Sequence, residues 1–443
     1  MKRKATYTQT IALGFLIIII TGAILLCLPI ASRAGEWTSF FDALFTATSA
    51  TCVTGLVVFD TYTHWSLFGQ IVILMMIQIG GIGFMTLITM VSVFMGRRIS
   101  LHERKLIMQS AGNTKISGAI HLVRRIILGT IMFEALGAVL LAFRLCPEMG
   151  ILNGIYNAIF HSVSAFCNAG FDLMGRFAPG SSLMRYRSDP LVNLTICGLI
   201  TIGGLGFMVW GNIIGVKGNY KRFSLHTKLV LTMTAILIIV PAVLFWLTER
   251  YAAFNGMSSG ERLLSALFQT ITPRTAGFNT VDQAALSESG TLLTTVLMLI
   301  GGSPGSTAGG IKTTTIAVMI LTTIASARRN ENVEVFKRRL SDNTLRQASA
   351  VFTVYMAAIV IFSVIICALE PFSLKQVLYE VSSAIGTVGL TTGITASLGT
   401  VSRFCLMLLM YAGRVGGLTL FVVLAENRSR VAVMRPKEEI LIG

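Results

Sequence analysis

Four short stretches of this 443-residue chain share one pattern, a polar run closing on glycine and then leucine or phenylalanine. They are Thr51-Cys52-Val53-Thr54-Gly55-Leu56, Phe166-Cys167-Asn168-Ala169-Gly170-Phe171, Pro273-Arg274-Thr275-Ala276-Gly277-Phe278 and Ile385-Gly386-Thr387-Val388-Gly389-Leu390. Their glycines lie 115, 107 and 112 residues apart. The chemistry that suits such residues is the handling of an ion. A cation leaving water must have its hydration shell replaced by oxygen dipoles, and a ring of main-chain carbonyls supplies them without net charge. Glycine admits backbone angles closed to other residues, so adjacent carbonyls can face one axis. Thr51, Thr54, Thr275 and Thr387 add hydroxyls. A single such loop reads as an ordinary turn; four in one apolar chain suggest four walls around one hole.

Composition places those loops in a membrane. Hydrophobic residues make up 53% of the chain, charged residues 13%, and mean hydropathy is +0.74. Apolar runs at Ile11–Ile30, Phe68–Met95, Val192–Ile214 and Ala348–Leu369 approach the roughly 20 residues that cross a bilayer. The first is too long for the apolar part of a signal peptide and reads as a retained span. The net charge of +16 does not point to nucleic acid. Basic residues instead gather in alternate segments: Lys2 to Lys4, Arg97 to Arg125, Lys217 to Lys228, Arg328 to Arg346, and Arg428 to Lys437. The positive-inside rule makes these cytoplasmic, with both termini inside and the four loops opening from the other face. Seven dispersed cysteines without C-x-x-C pairing read as small core residues.

Each loop requires the same supporting elements: an apolar span, a short amphipathic helix, the loop, and a second span. The first set is Thr10–Ser32, Thr38–Ala50, Thr51–Val57 and Trp65–Met95. The second is Gly118–Leu145, Asn153–Ala165, Phe166–Leu173 and Leu191–Val216. The third is His226–Leu247, Gly260–Ile271, Thr272–Thr280 and Thr291–Ala327. The fourth is Ala348–Leu369, Leu374–Ala384, Ile385–Thr391 and Val401–Ala425. A helix of about 12 residues is only about 18 Å long, so the short ones must re-enter from outside, sheltered by protein or water. Their C-terminal, partially negative ends then face the centre, which favours a cation. The expected fold is an all-α integral membrane protein with eight spans and four half-helices. Its four tandem units cover residues 1–96, 97–217, 218–328 and 329–443.

The second spans carry a further repeat. Gly80-Gly81-Ile82-Gly83-Phe84 and Gly203-Gly204-Leu205-Gly206-Phe207 match, and Gly413-Arg414-Val415-Gly416-Gly417-Leu418 is a variant. Small-residue packing is the ordinary reading, but recurrence in register with the loops suggests more. The third counterpart is Gly301-Gly302-Ser303-Pro304-Gly305-Ser306-Thr307-Ala308-Gly309-Gly310, whose glycines and proline cannot hold a regular helix. Broken backbone at membrane depth is tolerated where it lines a cavity. Glu134 reads as a buried partner for a basic residue, and His161 and Asp172 as solvated groups of an outer vestibule. No carboxylate cluster of a divalent site, phosphate-binding loop, zinc motif or catalytic constellation is visible, so an enzyme is not expected.

These motifs resemble the Trk/Ktr/HKT superfamily of potassium-translocating membrane subunits along the whole chain. The resemblance implies four covalently joined M1–P–M2 units around one pore, nearest the Ktr type because the chain starts directly at the first M1 helix. It implies potassium uptake across the bacterial plasma membrane, with sodium as a further transported or stimulating ion and no cofactor in this chain. Gly55, at a position where sodium-preferring relatives carry serine, implies potassium, held by main-chain oxygens of Thr54, Asn168, Thr275 and Thr387. Cys52, Cys167 and Arg274 depart from the tidy potassium-channel filter and imply looser selectivity. The broken third segment, 301–310, is implied as an intramembrane gate, with Lys312 at its end and Arg414 facing it. Implied partners are membrane lipid, a second copy in a homodimer, and a cytosolic RCK-type nucleotide-binding subunit, with no nucleic acid. The alternatives are a Trk-type or sodium-permeable relative, or, in another class, a secondary transporter of a different small solute. Same-direction repeats argue against the latter.

Overall fold

The computed structural model describes residues 7–83, 119–330 and 332–416 and is almost entirely helical. Fifteen α-helices follow one another in these segments: α1 (Tyr7–Cys27), α2 (Phe40–Thr51), α3 (Thr61–His64), α4 (Leu67–Ile82), α5 (Ala119–Met149), α6 (Ile151–Phe166), α7 (Pro190–Leu205), α8 (Phe207–Gly215), α9 (Leu225–Thr248), α10 (Ser259–Ile271), α11 (Glu288–Leu299), α12 (Thr313–Ala327), α13 (Asp342–Leu369), α14 (Leu374–Gly386) and α15 (Thr400–Val415). A two-residue hairpin, β1 (Glu334–Val335) with β2 (Arg338–Arg339), is the sheet among the described residues. The basic clusters at Lys2–Lys4, Arg97–Lys115 and Arg428–Lys437 fall outside the described residues, as do Phe84, Gly417 and Leu418.

Local sequence explains where the helices begin. Ser258 and Glu261 form a reciprocal capping box on α10, and Ser373 and Gln376 do the same on α14. Each pair satisfies N–H groups that the first turn leaves orphaned. Ser66, Ser224, Ser287 and Ser341 cap α4, α9, α11 and α13, and Asp189 caps α7 ahead of Pro190 at its first position. Four helices are long and apolar enough to cross a membrane: Gln9–Cys27, Val123–Met149, Leu225–Tyr251 and Asp342–Leu369. The pair α7 and α8 makes a fifth if counted as one bent span. Exposed leucine, isoleucine, valine and phenylalanine on α1, α5, α9 and α13 suit a lipid surround.

Sequence reasoning expected an unbroken helix over Leu191–Val216. The structure breaks it at Gly206 and bends it by 89°. Gly206 has φ +95°, a left-handed angle that ends an α-helix, and Gly83 and Gly416 end α4 and α15 in the same way, at +91° and +99°. Over Thr291–Ala327 the expected break is present, between Leu299 and Thr313.

The short helices are the most deeply buried. α2, α6, α10 and α14 all run into the interior and end at the four glycine loops, whose residues are buried almost without exception. One hydrophobic cluster joins α2, α4, α6, α7, α14 and α15 around them. Residues far apart in sequence close the assembly. The Arg403 guanidinium on α15 donates to the Asp42 carboxylate on α2 at 2.8 Å.

Candidate functional site

The four glycine loops meet head to tail. A Cβ placed on Gly55 would stand 2.6 Å from the Ala169 carbonyl oxygen, one on Gly170 2.7 Å from that of Ala276, one on Gly277 2.4 Å from that of Val388, and one on Gly389 2.2 Å from that of Thr54. Each loop therefore touches the next and the fourth returns to the first. With the backbone as it stands, a side chain at any of these positions would collide with the neighbouring loop. All four glycines have positive φ, +97°, +70°, +80° and +92°. All four also line a single cavity of about 280 Å³, together with Asp60, Asp172 and Thr391.

Two residues before each glycine the chain is left-handed again, at Val53 (φ +56°), Asn168 (+60°), Thr275 (+71°) and Thr387 (+52°). Side-chain-bearing residues in this region cost about 1–3 kcal/mol each and persist only where surroundings hold them, typically at functional sites. The expected oxygen set draws on two levels of the ring. Thr54 lies one step beyond Asn168, Thr275 and Thr387 and is level with Ala169, Ala276 and Val388, because the left-handed turn in the first loop falls on Val53.

Hydrogen bonds from the short helices hold these angles. The Ser49 and Ser383 hydroxyls accept from the N–H groups of Gly55 and Gly389, at 3.0 and 3.1 Å. Ser164 donates to the Phe171 carbonyl at 2.7 Å, and Thr272 to that of Phe278 at 2.6 Å. The serine six residues before the glycine recurs in three loops and was a legible signal that sequence reasoning missed. Asn168, with its amide oriented to satisfy both ends, donates to the Phe166 and Ala165 carbonyls and accepts from the Thr275 hydroxyl at 3.2 Å. The hydroxyls of Thr51, Thr54 and Thr387 are buried without a hydrogen-bond partner. All seven cysteines are free of disulfides; Cys52, Cys167, Cys197 and Cys405 are buried, whereas Cys27, Cys146 and Cys367 are half-buried. Arg274 is buried behind the third loop.

The recurring glycines of the second helices pack under the loops. A Cβ on Gly80 would fall 2.0 Å from the Thr51 carbonyl oxygen, one on Gly203 2.1 Å from that of Phe166, and one on Gly413 2.1 Å from that of Ile385. Packing is thus their role, directed at the residue four before each loop glycine.

The broken segment packs against α7, α8 and the second and fourth loops. Its backbone is tied to α7 by Ser303 N–H to Gly204 O at 2.9 Å and to α8 by Phe207 N–H to Gly305 O at 2.8 Å. Thr307 donates its hydroxyl to Phe166 O at 3.1 Å, and a Cβ on Gly309 would overlap the Thr387 hydroxyl. Lys312 donates to the Ala308 carbonyl at 2.7 Å. Arg414 reaches over from α15 and donates to the carbonyls of Thr307, Gly80 and Gly81. One guanidinium thereby links the segment to α4.

Two expectations are overturned nearby. Glu134 accepts from Gln78 at 3.1 Å and from the Cys167 thiol at 3.9 Å, and among the described residues it has no basic partner. The Gln78 amide of α4 and the loop thiol take the place of a cation among the described residues. His161 is buried rather than solvated: its Nδ1 bonds the Asn157 carbonyl at 2.7 Å and its Nε2 accepts from Leu173 N–H at 3.3 Å. Asp172 lines the cavity shared by the four loop glycines and accepts from Met174 N–H at 2.9 Å. Burial pushes its carboxyl up to about 6, assisted by the Asp60 carboxylate and opposed by the Met174 N–H and the Ser182 hydroxyl. Among the described residues no group of acids, cysteines and histidines forms a metal cluster.

Four glycine loops close into a ring at the ends of four short helices. Residues 3–431 match the TrkH family, described as a cation transport protein. The chain belongs to the TrkH family. It is 37% identical over 454 residues to the potassium/sodium uptake protein NtpJ of Enterococcus hirae, covering 100% of this chain and 98% of that one. It is 38% identical to Ktr system potassium uptake protein B of Vibrio alginolyticus and to that of Bacillus subtilis. These matches cover 100% and 99% of this TrkH-family chain, and 96% and 97% of theirs. The crystal structure of the potassium transporter TrkH from Vibrio parahaemolyticus superposes with a TM-score of 0.74 at 19% identity, over 96% of this chain and 86% of that one, which shows a shared fold.

Proposed function

We propose that this protein carries potassium into the cell through the ring of glycine loops. The observation that carries the reading is the closed contact of Gly55, Gly170, Gly277 and Gly389 around one cavity. Left-handed residues alternate with ordinary ones in every loop. That alternation turns successive carbonyls toward one side, where an extended chain would point them to opposite sides. Oxygens of Val53 and Thr54 and their counterparts then replace the water around a large monovalent ion. The short helices add their partially negative ends, and Asp60 and Asp172 attract cations to the mouth. Relatives named for potassium uptake favour this ion, and NtpJ, named for potassium and sodium, keeps sodium as a second one.

The helices group as four M1–P–M2 units: α1, α2 and α4; α5, α6 and α7–α8; α9, α10 and α11–α12; α13, α14 and α15. Segment 301–310 is the gate, and Arg414 bars the axis both by its charge and by holding that segment. The loops face outside and both termini face the cytoplasm of a bacterial cell. A homodimer and a separate cytosolic RCK-type nucleotide-binding subunit complete the system.

The test is growth on limiting potassium of a strain lacking its own uptake systems, with and without sodium. Rescue by the wild-type chain, and its loss in Gly55→Ser when sodium is in excess, is the expected result. No rescue by the wild-type chain, alone or with a co-expressed regulatory subunit, would remove the proposal.

A further inference from the structure

We propose that an anionic glycerophospholipid binds in the groove between α12 and α13 and sets the position of the gate; the regulatory half of this statement rests on the gate reading above. The groove has a volume of about 390 Å³ and is lined by Ile316, Met319, Ile320, Thr323, Ile324 and Phe352. That lies within the range of about 300–1,000 Å³ typical of ligand-holding clefts. Its walls are apolar apart from one threonine, whose hydroxyl donates back to the Met319 carbonyl of its own helix at 3.0 Å. Such walls suit a hydrocarbon chain.

Both walls end in arginine on the same side. On α12, Ile316, Ile320 and Ile324 follow at four-residue spacing, and the next step is Arg328, exposed at the C-cap. On α13, Ser349 touches the Met319 sulfur at 3.6 Å, which sets the register of the two helices. Phe352, Ser349 and Arg346 then follow at three-residue spacing down the opposite wall. Arg328 and Arg346 are exposed and form no ion pair among the described residues, whereas the nearby Arg339 is engaged with Asp342 at 3.9 Å. An apolar cleft rimmed by two exposed guanidiniums matches a molecule with an acyl chain below an anionic phosphate.

The consequence for transport follows from connectivity. α12 begins at Thr313, directly after Lys312, whose ammonium holds the Ala308 carbonyl of the broken segment. A chain lodged against Ile316 and Ile320 fixes the spacing of α12 from α13, and so the base from which that segment crosses the ring.

The experiment uses the full-length protein in vesicles of phosphatidylcholine alone or with phosphatidylglycerol. Retained lipid is read by native mass spectrometry and rubidium flux is read separately. Wild type is expected to retain phosphatidylglycerol and to change flux several-fold on its addition. Arg328→Gln with Arg346→Gln should lose the charged lipid, and Ile320→Trp, which fills the cleft, should lose both lipid and the flux response. Retention of phosphatidylglycerol by the double variant at the wild-type level overturns the site. Lipid loss without any change in the flux response overturns its link to the gate. Should Ile320→Trp instead split a dimer while bound lipid is unchanged, the cleft is a contact between copies and the proposal falls. Because the mass measurement needs no transport, failure of the lipid site is distinguishable from failure of the ion-uptake reading.

Discussion

Replacing Gly389 by alanine tests the ring at its tightest point. The new Cβ would stand 2.2 Å from the Thr54 carbonyl oxygen and 2.9 Å from the Gly55 Cα, where ordinary contact begins at 3.4 Å. The two loops must separate by about 1 Å or one peptide must turn, since dispersion wells are steep on that scale. A φ of +92° adds strain of about 1–3 kcal/mol for any residue with a Cβ. Turning the Thr54 or Val388 carbonyl away relieves the clash and removes one oxygen from the ion. A hydrogen-bond-like contact to a charge contributes about 1.5–3 kcal/mol. At about 1.4 kcal/mol per tenfold, the preference for potassium over sodium should fall by about 10- to 100-fold. Gly393→Ala supplies the control: its φ is +93°, it lies in the same vestibule, and nothing stands within 4 Å of its would-be Cβ. It carries equal strain without the collision. The assay is rubidium uptake in competition with potassium and with sodium. Wild-type preference in Gly389→Ala, or equal loss in Gly393→Ala, would refute the argument that contact within the ring sets ion choice.

Other outcomes follow from the same geometry. Deleting Ser303–Ala308 should raise ion flux in vesicles while leaving ion preference mostly intact, and unchanged flux would remove the gate. Arg414→Gln loses donors to Thr307, Gly80 and Gly81 and should raise basal flux in the same direction, though less than the deletion. Asp172, raised to about 6, is ionised at pH 7.5 and becomes neutral as pH falls through 6. The KM for potassium should therefore rise between pH 7.5 and 5 in wild type and be higher but flat in Asp172→Asn. Because its folded-state value lies above the unfolded one, ionisation opposes folding above pH 6, so Asp172→Asn should also raise the Tm at pH 7.5. Arg403→Ala leaves Asp42 without its partner and should cost about 1.5–3 kcal/mol, the range of charged hydrogen bonds, measured as a lower Tm in detergent.

Much of this arrangement was legible because glycine leaves no alternative. The loop glycines could be found by eye since each occupies a place where a Cβ collides with the neighbouring loop, and that demand repeats four times. Ser258 with Glu261 and Ser373 with Gln376 also mark the starts of two short helices, a signal the sequence reading did not use. What the residues did not disclose was register. Val53, a β-branched residue, is among the least expected to be left-handed, yet it takes φ +56° in the first loop. Nor did sequence show that Gly206 breaks its helix, because a glycine within an apolar run reads equally as packing. Glu134 was assigned a basic partner on the general cost of a buried charge; only the fold could show Gln78 and Cys167 beside it, 56 residues before and 33 after it in sequence.

The third of the four glycine-bearing second helices departs from the sequence repeat. Aligning the second helices puts Gly81, Gly204, Gly302 and Arg414 in one register, and Gly83, Gly206, Pro304 and Gly416 in another. Three of the latter break their helices with φ between +91° and +99°. Proline cannot take that angle, because its ring locks φ near −65°. The third chain thus has to leave its helix earlier, at Ile300, and returns at Thr313. The 12 intervening residues contact Gly203, Gly204, Phe166 and Thr387. In the same register where the other units keep a second glycine, the fourth carries Arg414, and its guanidinium takes up carbonyls of the displaced segment and of the first unit. Two departures from the repeat, a proline in one unit and an arginine in the next, are thus complementary. Restoring only Pro304 to glycine should leave Arg414 bound to Gly80 and Gly81 alone and raise basal flux, whereas a merely decorative proline would change nothing.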